Sequence, residues 1–152
     1  MAIEYRLTLA GDIPLEQVAD LAAPEATEAP PLQRSPRLLV ADLHERCGYV
    51  ISIHAGRDGY YDAEDDDSQW EWEPETYLNV SFRMAKNETS DEGTRNMIAV
   101  VARVLAGREE DAALVLNGNW LLLARVNGKI RKSRRKWWDT YNVNDLIPQS
   151  AE

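Results

Sequence analysis

Residues 3–9 alternate strictly: Ile3, Tyr5, Leu7 and Leu9 are apolar, with Glu4, Arg6 and Thr8 between them. A period of two predicts a strand with one buried and one wet face. Gly11-Asp12 closes it. Pro14 then precedes Leu15, Val18, Ala19 and Ala22 at helical spacing, which predicts a short helix ending before Pro24. Pro24, Pro30, Pro31 and Pro36 are incompatible with a regular helix or a central strand over 24–36, so a long loop is expected there. Leu38-Leu39-Val40-Ala41 reads as a strand, with a turn around Arg46-Cys47-Gly48. Tyr49, Ile51 and Ile53 alternate with Val50, Ser52 and His54, which completes an expected hairpin. Leu78, Val80, Phe82 and Met84 alternate with Tyr77, Asn79, Ser81 and Arg83, another strand with one wet face.

The strongest helical signal covers residues 90–106. Ser90 is placed to cap it, and Asp91 and Glu92 favour its first turn. Met97, Val100, Val101, Val104 and Leu105 form one stripe, and Gly107 is a natural stop. Beyond it, Ala113–Leu116, Trp120–Val126 and a segment from Lys129 are joined by Asn117-Gly118 and Asn127-Gly128. Asn-Gly accepts the positive φ angles of a tight hairpin turn, so these segments predict a meander. The expected order is β-α-β-β-β-α-β-β-β. Short connections then make an α+β fold, a mostly antiparallel sheet with two helices packed on one face. Trp120 is expected in the core beside Leu122. The tail over 137–152 is expected to be irregular, with Trp137-Trp138 docked on the fold.

The chain has 152 residues, of which 44% are apolar and 28% charged. Such a length fits a single domain over 1–152 with a sizeable core. The early charges of the N-terminus and the lack of a long apolar run predict a soluble chain that neither enters a membrane nor leaves by the general export route. One cysteine, Cys47, excludes an intrachain disulfide and suits a reducing cytoplasm.

Net charge is −9, which makes nucleic acid a disfavoured main partner. The charge is also uneven. Residues 57–75 hold nine acids and one base, Arg57, while 125–136 hold seven bases and no acid. Each stretch has a functional reading and a plainer one. The acidic stretch, expected as a loop, carries Tyr60, Tyr61, Trp70 and Trp72 among its acids. It reads either as a protein-contact surface or as a solvated loop whose aromatics fold back onto the sheet. As a surface, aromatics supply buried area and acids steer a basic partner. Its candidate contact residues are Asp62, Glu64, Asp65, Asp66, Asp67, Trp70 and Trp72. The alternative site is anion-binding: Arg131, Lys132, Arg134, Arg135, Lys136, Trp137 and Trp138. The favoured plain reading of that run is an outer strand whose Lys and Arg discourage edge pairing and neutralise the acids across the fold.

Chemistry is harder to find. His44, Cys47 and His54 are too few soft ligands for a structural zinc, and no paired-cysteine motif supports them. The Asp-x-Asp-x-Asp-Gly order of a calcium loop is absent, as are the nucleophile elbow, the phosphate loop and the His-Glu-x-x-His helix. No catalytic residue, metal or cofactor is expected.

Five segments stand in a familiar order: Tyr5-Arg6-Leu7-Thr8-Leu9-Ala10-Gly11-Asp12, Trp70-Glu71-Trp72-Glu73-Pro74, Phe82-Arg83-Met84, Arg95-Asn96-Met97-Ile98-Ala99-Val100-Val101 and Asp111-Ala112-Ala113-Leu114-Val115-Leu116-Asn117-Gly118. Across most of the chain this pattern resembles the Sit-type immunity family, small actinobacterial proteins named after myxobacterial antitoxins. The resemblance implies a cytoplasmic, non-enzymatic protein that binds and blocks a cognate toxin. It implies no particular binding residues. An acidic, aromatic surface suits the basic cleft of a toxin that cuts nucleic acid.

Overall fold

A computed structural model describes residues 3–23, 33–35, 37–84 and 91–148. Its elements in chain order are β1 (Glu4–Ala10), α1 (Leu15–Ala22), β2 (Gln33–Ser35), β3 (Leu38–Leu43), α2 (His44–Cys47), β4 (Tyr49–Arg57), β5 (Tyr61–Glu64), β6 (Gln69–Trp72), β7 (Thr76–Met84), α3 (Asp91–Gly107), β8 (Ala112–Leu116), β9 (Trp120–Val126), β10 (Lys129–Lys132) and α4 (Arg135–Tyr141). The fold is α+β, as the alternation predicts. The strands run β2-β3-β4-β7-β1-β8-β9-β5-β6, and β10 also pairs with β9. All pairings are antiparallel except a single parallel contact, Glu64 beside Trp120, that links β5 to β9.

Period-two alternation decides the core. Tyr5, Leu7 and Leu9 of β1, Leu78, Val80 and Phe82 of β7, and Tyr49, Ile51 and Ile53 of β4 share one face. Against it lie the apolar stripes of α1 (Leu15, Val18, Ala19, Ala22) and α3 (Met97, Ile98, Val101, Val104). Each large side chain so buried stabilises the fold by about 1.5–3 kcal/mol before entropy is counted. Tyr49 and Phe82 meet edge to face, 5.1 Å between centroids. Both Asn-Gly joints adopt the expected left-handed backbone, with φ of 51° and 71° at Asn117-Gly118 and 52° and 80° at Asn127-Gly128. Positive φ at two successive residues suits Asn-Gly, because Gly has no Cβ and Asn bonds locally.

Arg125 ties β9 to the end of α3 and to the connection that follows it. Its guanidinium is buried and donates to the Leu105 carbonyl near the end of α3 (2.6 Å) and to the Glu110 carbonyl (2.9 Å). A cation suits the negative end of a helix. Burial pulls its pKa down, opposed by Glu110, Asp111 and Glu109.

The fold departs from expectation in five places. Residues 57–75 hold the β5–β6 hairpin, because alternate Tyr61, Ala63, Trp70 and Trp72 can share one face. The 24–36 stretch contains the short outer strand β2, which pairs with β3 at one margin of the sheet, where proline is tolerated nearby. The turn at 44–48 is a single helical turn, closed by Gly48 at φ 90°. The tail begins as α4, because Trp138 is fully buried. Trp120 is 44% exposed, although Leu122 beside it is buried. Trp120 is the first residue of β9, next to the exposed 117–119 turn, and the Arg134 guanidinium rather than the core covers its ring. Further along β9, Val115 pairs with Leu121 and Leu114 with Leu123, a bulge that lets both Leu122 and Leu123 reach the main core. The expected cap Ser90, residues 24–32 and residues 149–152 lie outside the described residues.

Candidate functional site

The second face of the sheet carries its own small apolar cluster: Ala113, Val115, Leu121 and Ala124, with Ala63 of β5 seated on them and Trp70 and Trp72 packed alongside. This cluster explains the hairpin. Its two strands pair Tyr61 with Trp72, Asp62 with Glu71, Ala63 with Trp70 and Glu64 with Gln69. Pairing alternate residues sorts them cleanly. Tyr61, Ala63, Trp70 and Trp72 turn toward the sheet, and Asp62, Glu64, Gln69 and Glu71 form the outer, exposed row.

A polar hub holds the other end of the hairpin. Asn79 accepts a 2.6 Å hydrogen bond from the Thr8 hydroxyl and donates one of 3.1 Å to the Tyr61 hydroxyl. Tyr77 stands edge-on to Tyr61 at 5.7 Å, and the Arg6 guanidinium lies 5.9 Å from the Tyr61 centroid. Burial raises the Tyr61 pKa, so the phenol stays neutral and keeps its hydrogen. The Tyr77 ring lies against Gly56, where a Cβ would fall on its hydroxyl and ring carbons. Gly56→Ala is therefore expected to displace the ring and lower stability by about 1 kcal/mol in a urea titration. An unchanged midpoint would show that Tyr77 does not depend on that glycine.

The tip of the hairpin meets the basic run directly. Asp65 accepts two bonds from Arg131 (2.6 and 3.2 Å), one from the Ser133 hydroxyl (2.5 Å) and one from the Asp66 N–H (2.8 Å). These donors, chiefly the Arg131 guanidinium, hold its carboxyl down at about 2. Asp66 accepts the Arg134 backbone N–H at 2.7 Å, and Glu64 lies 3.4 Å from the Arg134 guanidinium. Arg134 takes a left-handed backbone, φ 56°, and stacks over the Trp120 ring at 4.3 Å. The two stretches that are opposite in charge are thus neighbours in space.

The candidate residues separate accordingly. Asp62, Glu71, Glu73 and Asp67 are exposed. Tyr60, 55% exposed, donates a 2.8 Å hydrogen bond to Glu71, which holds the phenol above its ordinary pKa. Asp65, Asp66 and Glu64 face the basic run, and Trp70 and Trp72 are half-buried beneath the hairpin. A groove of about 310 Å³ separates Asp62, Glu64 and Gln69 from Gly118, Asn119 and Trp120. In the basic run, Lys132 is buried, donates to the Asn144 carbonyl (2.8 Å) and lies 4.7 Å from the Trp138 ring centroid. Trp138 is fully buried, and Trp137 packs edge-on against Tyr5 at 5.7 Å. Arg135 and Lys136 are exposed.

Sequence reasoning missed Ser133, Asn79 and Trp120 as members of this region. Ser133 lies within the basic run and is overshadowed by its charges. The contact of Asn79 with Tyr61 depends on a long-range fold-back. His44 and Cys47 line a shallow depression of about 160 Å³ with Gly93 and Asn96, and His54 is not among its walls. Among the described residues, no three His, Cys, Asp or Glu side chains are grouped to hold a metal, and no helix is long and apolar enough to cross a membrane.

The SitI3-like family model covers residues 3–142, most of the chain. No curated protein and no solved structure matches.

Proposed function

Because the chain belongs to the SitI3-like family of immunity proteins, we propose that it binds and neutralises a cognate toxin in the cytoplasm, using the acidic hairpin as its contact surface. Its action is occupancy of the toxin, not catalysis. The observation that supports this most is the sorting of the hairpin. Its aromatic row rests on the sheet, while Asp62, Glu64, Gln69 and Glu71 form a continuous exposed row beside Tyr60 and Trp120. Acids held on a seated strand pair present charge without the entropy cost of ordering a loop. The surface would complement a basic cleft, speeding encounter and disfavouring acidic partners. Trp70 and Trp72 contribute chiefly by seating the strands.

The basic run offers less to an anionic ligand. Arg131 and Arg134 engage the hairpin tip, and Lys132 and Trp138 are buried. No specific observation favours that alternative.

The test is a double variant, Asp62→Lys with Glu71→Lys, titrated against a candidate cognate toxin domain. Both positions are exposed and lie outside the Asp65 network. Affinity is expected to fall roughly 10- to 100-fold at low salt, with a flatter salt dependence and an unchanged melting temperature. Unaltered affinity at every salt concentration would remove the hairpin as the contact surface.

A further inference from the structure

The backbone of the hairpin carries directional information that its charges do not. The Asp65 N–H donates to the Ser68 carbonyl at 2.9 Å, so that pair is hydrogen-bonded. Bonded and non-bonded pairs alternate along an antiparallel ladder. Ala63–Trp70 and Tyr61–Trp72 are therefore bonded pairs, and Glu64–Gln69 and Asp62–Glu71 are not. Glu64 agrees with this phase, because its N–H points away from β6 and donates to the Asn119 carbonyl at 2.6 Å. On β6 the same phase turns the N–H and C=O groups of Gln69 and Glu71 outward. β6 ends the strand path, and β5 is its sole strand partner among the described residues.

An edge with unpaired backbone groups is a template for another strand, and many edges are guarded by Lys. β10, beside β9, carries Lys129, Arg131 and Lys132. β6 carries Glu71 instead, with Glu73 just beyond it. That choice opposes a second copy of this chain, since pairing β6 with β6 would bring glutamates together on proteins of net charge −9. It favours a basic segment.

We propose that the outer edge of β6 is where the toxin is read. An extended, basic segment of the toxin adds to β6 as a further strand, bonded to the backbone of Gln69 and Glu71. Side chains on an added strand alternate between faces. Those on the outer face stand beside Gln69, Glu71 and Glu73, so they are Lys or Arg. Those on the inner face stand beside Trp70 and Trp72, so they are apolar. The recognised segment alternates basic and apolar residues. This inference rests on the hairpin being the toxin-facing surface and adds the mode of recognition, strand addition.

Two arms test it. In the first, the full chain is titrated with the peptide acetyl-Lys-Val-Lys-Val-Lys-Val-Lys-amide and with the same peptide N-methylated at alternate residues. Methylation keeps the charge and removes the strand's donors. The unmethylated peptide is expected to bind at least about tenfold more tightly, through two or more extra hydrogen bonds. It should also slow amide exchange at Gln69 and Glu71. Equal binding of both peptides, or no slowing at those amides, overturns the proposal. So does protection of those amides in the peptide-free protein together with a dimer on size exclusion, because the occupant is then a second copy.

In the second arm, Glu71→Pro and Glu71→Gln are compared against a candidate cognate toxin domain. Both remove the charge, and the proline alone removes the outward N–H, which the β5–β6 ladder does not use. The proline variant is expected to bind about tenfold more weakly than the glutamine variant. Equal loss in both, with Asp62→Lys/Glu71→Lys still weakening binding, sinks strand addition and leaves the acidic surface standing. Insensitivity of the toxin to all of these variants sinks the surface itself. The peptide arm uses the unaltered protein, so an unfolded proline variant would not blunt the test.

Discussion

Trp138→Ala is expected to destabilise the protein by about 3–5 kcal/mol, the usual range for deleting a buried tryptophan. The side chain projects from α4 and is fully buried. Its indole N–H is shared between the Leu122 and Ser133 carbonyls, both at 3.1 Å. One flank packs edge-on against Trp137 at 5.1 Å, and the Lys132 ammonium lies over its ring. Alanine would leave a large cavity and remove the donor from two carbonyls at once. For a chain of this size the loss corresponds to a fall in melting temperature of roughly 6–20 °C. Trp138→Phe should cost less, because it fills much of the cavity and forfeits mainly the hydrogen bonds. Urea titration of the three proteins would read both steps. A loss below about 1 kcal/mol for alanine would mean that the C-terminal segment is not integral to the core.

Asp65→Ala is expected to cost about 1–3 kcal/mol and to loosen the hairpin tip. The wild-type carboxylate is only 12% exposed, while Arg131 is 51% exposed, so water partly compensates the arginine but not the buried Ser133 hydroxyl. Amide exchange at Asp66 and Arg134 should quicken, since both N–H groups donate into this contact. The carboxyl is lowered from 3.8 to about 2 by Arg131, Ser133 and the Asp66 N–H. Its folded pKa lies below its unfolded one, so the folded state binds fewer protons in between. The stabilisation is complete above about pH 4 and is lost as pH falls toward 2. Asp65→Asn should flatten that part of the stability-against-pH curve. Parallel curves for wild type and Asp65→Asn over this range would refute the assignment.

The Asp65 contacts also make a charge reversal across Asp65–Asp67 a poor probe of partner binding. It would break the contact with Arg131 and Ser133 before it tested any toxin. Asp62 and Glu71 are cleaner positions, because their side chains are exposed outside that network.

Much of the fold was legible in short-range pattern. Tyr5-Leu7-Leu9, Tyr49-Ile51-Ile53 and Leu78-Val80-Phe82 declare their strands because a strand's faces alternate and only one of them is buried. The α3 stripe and the two Asn-Gly turns were readable for the same reason: their cause lies within a few residues. The β5–β6 hairpin was not. Its acids resemble a solvated loop, and its aromatics earn a strand pair only when Ala113, Val115 and Leu121 supply a surface beneath them. Nor did alternation place Trp120, since it stands at the first position of β9 beside an exposed turn, where the core no longer reaches.

The amino-acid sequence by itself determined the α+β class, the apolar face of each central strand, the family and the presence of two oppositely charged stretches. Those are properties of local periodicity and composition. Only the tertiary structure decided that the two stretches touch, through Asp65, Arg131, Ser133 and Arg134. It alone decided which acids remain outward and which edge of β6 is open. The physical reason is range: a strand's face is set by neighbours two residues away, whereas the contact between Asp65 and Arg131 spans 66 positions and exists only once the sheet has closed between them.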